Sequence, residues 1–282
     1  MPELPEVETM ARDLHRLIRG ATMSGAHVGY ANLLVGATPR GLNRWVVDFT
    51  VGAVRRRAKS LILVEAGGPR RLIFAPRMTG TPRVAAAGAA RVRHEHLIFP
   101  LSDGRELRFY DPRRFGRLTP ATEERGVLRN LRGGDPFASV GPEPLEPGWS
   151  LALFRAALAR HPRARIKGLL LDQSLVAGIG NIYADEALWR ARIHPERVAG
   201  SLQERESRAL WRAIRTILAR AVERRGSKIA TFDAPGGGAS MQRELAVYGR
   251  TGASCQRCGR AIRRIYLGGR STHYCDRCQA HP

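Results

Sequence analysis

Residues 255–278 read CQRCGRAIRRIYLGGRSTHYCDRC. The two Cys-x-x-Cys pairs, Cys255 with Cys258 and Cys275 with Cys278, are 16 residues apart, the spacing of a four-thiolate zinc ribbon. Four sulfur ligands close a tetrahedral site and leave no position for water, so the metal implied is one structural Zn2+. Two redox-active dithiols are the rival reading, but these belong beside a βαβ pattern and none is evident here. The chain has 4 cysteines, all within its last 28 residues, which speaks against a disulfide framework and for a reducing, cytosolic setting. Arg260, Arg263, Arg264 and Arg270 make the intervening hairpin basic. Solvated charge and phosphate contact both fit them.

Upstream of the ribbon the pattern is helical. AGIGNIYA at 177–184 lies between two helical stretches. Gly178 and Gly180 permit a tight turn, Asn181 is placed to cap the next helix, and amides at such a terminus can bind phosphate. An ordinary interhelical turn fits the same residues. Leu151, Phe154 and Leu158 mark one helix, 166–171 begins another, and 182–191 is a third. Ser201 with Glu204 reads as a capping box before Leu210, Ile214, Ile217, Leu218 and Ala221, with Gly226 ending that helix. DAPGGGAS at 233–240 is too glycine-rich for regular structure and reads as a loop.

A stretch with four prolines, 135–149, separates these helices from a strand-rich half. There, WVVDFTV (45–51), LILV (61–64), LIF (72–74) and HLIF (96–99) read as strands, and SDGR (102–105) as a hairpin turn before a strand through Tyr110. Short strands at this spacing predict a sandwich or barrel. VAAAGAA (84–90) reads as a loop. Before the strands, Val7, Met10, Ala11, Leu14, Leu17 and Ile18 keep helical spacing over 6–18, with Pro5 early and Gly20 just beyond.

The charge narrows the function. With 47 Lys+Arg against 25 Asp+Glu, the formal net charge is +22 over 282 residues, a field that attracts polyanions. No apolar stretch is long enough to span a bilayer, no secretory signal opens the chain, and no basic amphipathic helix or lipidation motif supports membrane-surface binding. Nucleic acid is the expected partner. Against that charge, the opening MPELPEVET crowds three glutamates into nine residues.

Six motifs then carry a resemblance: PELPEVE (2–8), RRAK (56–59), DPRRFG (111–116), GIGNIYADE (178–186), VYGR (247–250) and the terminal cysteine pairs. In this order they resemble the formamidopyrimidine-DNA glycosylase and endonuclease VIII family, and PELPE with DPRRFG resembles the formamidopyrimidine branch. The resemblance implies an α+β fold: an N-terminal helix plus β-sandwich catalytic domain (2–134), the linker (135–149), a helical helix-two-turns-helix DNA-binding domain (150–240) with a lesion-capping loop at 233–240, and a zinc-finger hairpin (241–282). It implies a bifunctional glycosylase and AP lyase that excises 8-oxoguanine and formamidopyrimidines and nicks the strand by β- and δ-elimination. It further implies double-stranded DNA with oxidised bases or abasic sites as the partner, a cytoplasmic monomer, and no organic cofactor.

The same resemblance assigns roles. Loss of Met1 would expose the secondary amine of Pro2, which titrates near 8 rather than near 10.4 as lysine does and is therefore partly nucleophilic at neutral pH. Glu3 would move protons at the sugar, Glu6 would support it, and Lys59 would assist base removal from beside the lesion. Lys167, Asn181 and Arg270 would hold the lesion and the flanking phosphates. Met78, Arg113, Arg114 and Phe115 would meet the DNA where the flipped nucleotide leaves a void. The chain departs from the family pattern at 75–80, where it has APRMTG instead of HLGMSG, and its glycine-rich loop lacks an aromatic near its end. Both departures touch lesion and opposite-base recognition rather than the amine chemistry. The rival readings are an enzyme of the family acting on oxidised pyrimidines or abasic sites, a non-catalytic damage sensor, and a zinc-ribbon RNA-binding protein. Pro2, Glu3 and Lys59 argue against the last two, because phosphate binding needs no N-terminal proline.

Overall fold

The structure, a computed structural model, describes residues 1–227 and 237–281. They fall into two compact units, 1–138 with 237–239, and 139–227 with 240–281.

The first unit opens with α1 (Leu4–Ile18), whose Pro5 lies in the first turn and whose Glu3 and Glu6 form a reciprocal capping box. Then come β1 (Thr22–Met23), β2 (His27–Val28), α2 (Pro39–Val46), β3 (Phe49–Arg57), β4 (Ser60–Glu65), β5 (Arg70–Ala75), β6 (Thr81–Ala85), β7 (Glu95–Pro100), β8 (Glu106–Tyr110), β9 (Arg117–Glu124) and β10 (Val127–Asn130). A six-stranded sheet runs β1-β3-β4-β5-β9-β10 and a four-stranded one β2-β7-β8-β6. Strand alternation sends Leu61 and Leu63 of β4 into the main core, while Ile62 joins Ile73 and Ala121 on the opposite face. Phe74 of the large sheet meets Phe99 and Phe109 of the small one at ring centroids of 5.9 and 5.7 Å, so the two sheets share one core as a sandwich. Val7, Met10, Leu14 and Ile18 bury the apolar stripe of α1 in that core, which fixes the N-terminus against the sheets.

The expected strand at 45–51 begins only at Phe49. Trp45 and Val46 end α2, a helix started by Pro39 and by Thr38, whose hydroxyl accepts the Gly41 amide at 3.0 Å. Val84 and Ala85 belong to β6 rather than to a loop, and β9 and β10 extend the sheet beyond the expected strands.

The second unit holds α3 (Leu151–Ala159), α4 (Ile166–Leu171), α5 (Asn181–Ala191), α6 (Glu204–Glu223) and the hairpin β11 (Arg263–Leu267) and β12 (Arg270–Tyr274). Every residue of α5 from Ile182 to Trp189 is buried, because α4, α6 and β12 surround it. The proline-rich stretch is packed from residue 139 onward rather than being a free linker. Its carbonyls serve as acceptors: Pro142 for the Ala177 amide at 2.9 Å and Pro144 for Arg215 at 2.9 Å, and Trp149 is buried against Phe154 and Trp211. The capping box of α6 is Gln203 with Glu206, two residues beyond the expected pair, because Ser201 is occupied in a 3-10 turn with Val198. Gly180, not Asn181, is the N-cap of α5, and Asn181 opens the helix. Among the described residues no helix is long and apolar enough to cross a membrane.

Candidate active site and DNA-facing residues

In the first unit the N-terminus is seated, not loose. Pro2, Glu3 and Glu6 are buried, and the Glu3 amide donates to Glu6 Oε2 at 2.9 Å. Burial holds the pKa of the Met1 ammonium below its ordinary value, opposed by the charges of Glu3 and Glu6 and helped by those of Lys59 and Arg113. Glu8 binds Arg56 at 3.0 Å, and Arg56 also donates to the Ala58 carbonyl at 3.1 Å, so α1 is tied to the turn of the β3–β4 hairpin. Lys59 stands in that turn after Ala58, whose φ is +51°, rather than at the start of β4. Pro2, Glu3 and Glu6 are thus buried at the start of α1, and Lys59 is half-buried in the hairpin turn to which α1 is tied.

Two loops leave the same end of the sandwich. Ala75 pairs with Arg117 across β5 and β9, and Thr81 with Tyr110 across β6 and β8, so 76–80 and 111–116 are neighbours. Buried Asp111 joins them by accepting the Thr79 hydroxyl and, at 2.7 Å, the Gly116 amide. Gly80 and Gly116 close on Phe109: a Cβ at either would stand 2.5 or 2.6 Å from its ring, so glycine is required at both. The framework presents Met78 half-buried and Arg113, Arg114 and Phe115 exposed. Phe115 is 47 % exposed and so lies outside the core. Arg113 lies over the Phe115 ring at 4.7 Å and Arg114 over Tyr30 at 4.9 Å.

In the second unit the sequence NIYADE is a set of fasteners. Asn181 Nδ2 donates to the Ser271 carbonyl at 2.8 Å. Asp185 pairs with Lys167 at 2.6 Å and accepts the His273 amide at 2.8 Å. Glu186 accepts the amides of Ala246, Val247 and Tyr248 at 2.9 Å each, although burial pushes its carboxyl up. The Lys167 side chain, expected to hold the lesion, is 1 % exposed, and its ammonium also donates to the Ser271 carbonyl and the Thr272 hydroxyl, so it supports the hairpin from beneath. Asp185 and Glu186 were not singled out by sequence, though two acids on a helix of otherwise apolar burial are a signal. Arg270 is exposed at the start of β12, after a turn of Gly268 and Gly269 at φ +55° and +72°.

The four cysteine sulfurs lie within 4.8 Å of one another. Two of the separations are 3.9 Å (Cys255 to Cys278) and 3.4 Å (Cys258 to Cys275), against an edge of about 3.8 Å for a ZnS4 tetrahedron. Burial pushes the Cys275 and Cys278 thiols up and acts against ionisation of Cys255. At Cys255 the amides of Arg257 and Cys258 outweigh it and bring the thiol down to about 6, while Cys278 is pushed up to about 12, so a cation is what allows all four to ionise together. Gln279 anchors the site to the chain just beyond α5 by donating to the Ile193 carbonyl at 2.9 Å and accepting the Cys275 amide at 3.0 Å.

Three family models match in sequence: the formamidopyrimidine-DNA glycosylase N-terminal domain over residues 1–118, its H2TH domain over 140–233, and the zinc finger found in FPG and IleRS over 254–280. A formamidopyrimidine-DNA glycosylase of Herpetosiphon aurantiacus is 42 % identical, with 99 % of this chain and 100 % of that one aligned. The chain belongs to the formamidopyrimidine-DNA glycosylase family. The enzyme of the same name from Enterococcus faecalis is 40 % identical, covering 99 % of this chain and 97 % of its own. Among solved structures, the Lactococcus lactis enzyme in complex with abasic-site DNA superposes with a TM-score of 0.87 at 36 % identity, covering 99 % of this chain and 100 % of that one. Its complex with Fapy-dG DNA gives 0.88. As a family member this chain is a DNA glycosylase of base excision repair, with one structural zinc in the finger.

Proposed function

We propose that the protein excises oxidised purines, 8-oxoguanine and formamidopyrimidines, from double-stranded DNA and then cleaves the abasic strand through its N-terminal amine. The observation that carries this reading is the seated terminus: Pro2 is buried, Glu3 and Glu6 are joined beside it in the capping box, and the ammonium of the neighbouring Met1 is held below its ordinary pKa by burial. With Met1 removed, the Pro2 nitrogen attacks C1′ and the C1′–N9 bond breaks, the base leaving with that electron pair and a proton. Opening of the sugar, with Glu3 supplying the proton to O4′, leaves an iminium on Pro2. The iminium acidifies the 2′ hydrogen, whose removal expels the 3′ phosphate, and a second elimination expels the 5′ phosphate. Glu6 holds Glu3 in the capping box, and Lys59 stabilises the departing base or the phosphate beside it.

Met78, Arg113 and Phe115 stand together as wedge and orphan-base contact, with Arg114 beside them. Asn181 and Arg270 are the phosphate clamp, and Lys167 and Asp185 keep that clamp in place. The loop at 233–240 is assigned to cover the extruded base; its residues 233–236 lie outside the described residues. The enzyme works as a monomer in the cytoplasm, with the chromosome.

The test is borohydride trapping of the mature protein on a duplex with 8-oxoguanine opposite cytosine, followed by mass analysis of the N-terminal peptide. An adduct on Pro2 with released base supports the whole reading. An adduct on an abasic duplex alone keeps the lyase and moves the substrate, with oxidised pyrimidines next in line, since the Lactococcus lactis enzyme has also been solved with such DNA. No adduct on either sinks the catalytic reading.

Zinc removal gives a second expected outcome. Chelation, or Cys258→Ser, should free the hairpin that carries Arg270 and accepts from Asn181, and so weaken duplex binding by at least about tenfold, the scale of one charge-assisted contact. Zinc content and fluorescence anisotropy on the same samples check it.

A further inference from the structure

The loop 76–80 carries an arginine that the reaction above does not use. Arg77 has φ +57°, the left-handed region that an L side chain enters at a cost, and where the resembling pattern has glycine. Its loop is held rigidly: the Gly80 amide closes on the Pro76 carbonyl at 2.9 Å, Gly80 presses on Phe109, and Thr79 is fixed by Asp111. The strained conformation is therefore imposed by the framework.

What the side chain gains in return is not inside the protein. Arg113 and Arg114, on the neighbouring loop, lie over Phe115 and Tyr30. Arg77 is exposed, and among the described residues it has no hydrogen bond, ion pair or ring contact. It immediately precedes Met78, and the pairing of Ala75 with Arg117 and Thr81 with Tyr110 sets its loop beside Arg113 and Phe115. An unpartnered, always-charged guanidinium on that rim is a ready anion contact. We infer that Arg77 is an additional DNA contact, binding a backbone phosphate next to the step where Met78 enters the stack. This rests on the glycosylase reading for the placement of DNA against the two loops. A phosphate is favoured over a base edge because the adjoining Arg113 already stands with Phe115 at the position proposed to face the orphaned base, which leaves Arg77 at the rim.

The test compares wild type, Arg77→Gly and Arg77→Lys by anisotropy on a duplex with a tetrahydrofuran abasic analogue opposite each of the four bases, from 50 to 200 mM salt. Glycine suits φ +57°, so Arg77→Gly should melt no lower than wild type. Its affinity should nevertheless fall about tenfold, equally for all four opposite bases, with the log-log salt slope smaller by about 0.9, while Arg77→Lys keeps the wild-type slope. Stability and binding would then move apart, which a merely structural residue would not produce. An unchanged slope in Arg77→Gly, or a loss confined to one opposite base, overturns the inference. If wild type binds this duplex no better than an intact one, the glycosylase reading fails and takes the inference with it.

Discussion

Protein that keeps Met1 should form no borohydride-stable adduct with an abasic duplex on the timescale on which processed protein is fully trapped, a loss of at least about a hundredfold. With Met1 in place the Pro2 nitrogen is an amide and has no nucleophilic lone pair. The Met1 amine remains available, but it stands one residue away, about 3.8 Å along the chain. A reacting group misplaced by about 1 Å already costs on the order of a hundredfold, so a primary amine at that distance does not substitute. The pH profile adds a sharper check. Burial, with Lys59 and Arg113, lowers the pKa of the Met1 amine against the opposing charges of Glu3 and Glu6, and the Pro2 amine, buried beside the same glutamates, is expected to shift the same way once Met1 is removed. The reactive, unprotonated fraction is thus retained below the pH at which an ordinary terminus would be protonated. Trapping should fall only on the acid side of that lowered value. Lys59→Met removes a cation and raises the amine's pKa, so its acid limb moves to higher pH; Glu6→Gln removes an anion and moves it to lower pH. Single-turnover trapping from pH 5 to 9 measures both shifts, and limbs that stay in place would show that these groups do not act on the amine.

How far this site could be read from sequence depends on how local its causes are. The strands at 61–64, 72–74 and 96–99 were legible because each is a short run of branched and aromatic residues buried on at least one face. The same rule misread Trp45 and Val46, where the cap at Thr38 and Pro39 imposes a helix that hydrophobicity does not announce. Asn181 looked like a cap because asparagine prefers that position, but its amide is committed to Ser271, 90 residues away. The amine cluster was legible from the PELPE motif only as a resemblance. That Glu3 and Glu6 form a capping box shows how the two carboxylates hold the helix start beside the terminus. Nothing near Ile166 or Gly168 reveals that Lys167 lies beneath a strand more than 100 residues later. Such partners are set by how helices and hairpin pack, which periodicity does not specify.

The buried pair of Lys167 and Asp185 provides the other large effect. Lys167→Met should destabilise the protein by roughly 3–5 kcal/mol, because it leaves the Asp185 carboxylate buried with only the donors of His273. Asp185→Asn should cost a comparable amount by stranding the ammonium. Replacing both, as Lys167→Met with Asp185→Leu, should recover much of the loss, since a well-packed apolar pair avoids two desolvation penalties; a thermal-melting double-mutant cycle measures the coupling. The functional consequence separates two roles for the lysine. If Lys167 touched DNA directly, its removal would weaken binding while Asp185→Asn, which keeps the ammonium, would not. Beneath the hairpin, the two residues jointly position Ser271 and Thr272 and through them Asn181 and Arg270. Both single variants should therefore lose duplex affinity to a similar extent when assayed well below their melting temperatures. The apolar double variant should then regain stability without full affinity, because it restores packing but not the donors that fix Ser271 and Thr272. That split follows from geometry: the ion pair fills a buried site, and its remaining hydrogen bonds hold the strand that presents Arg270.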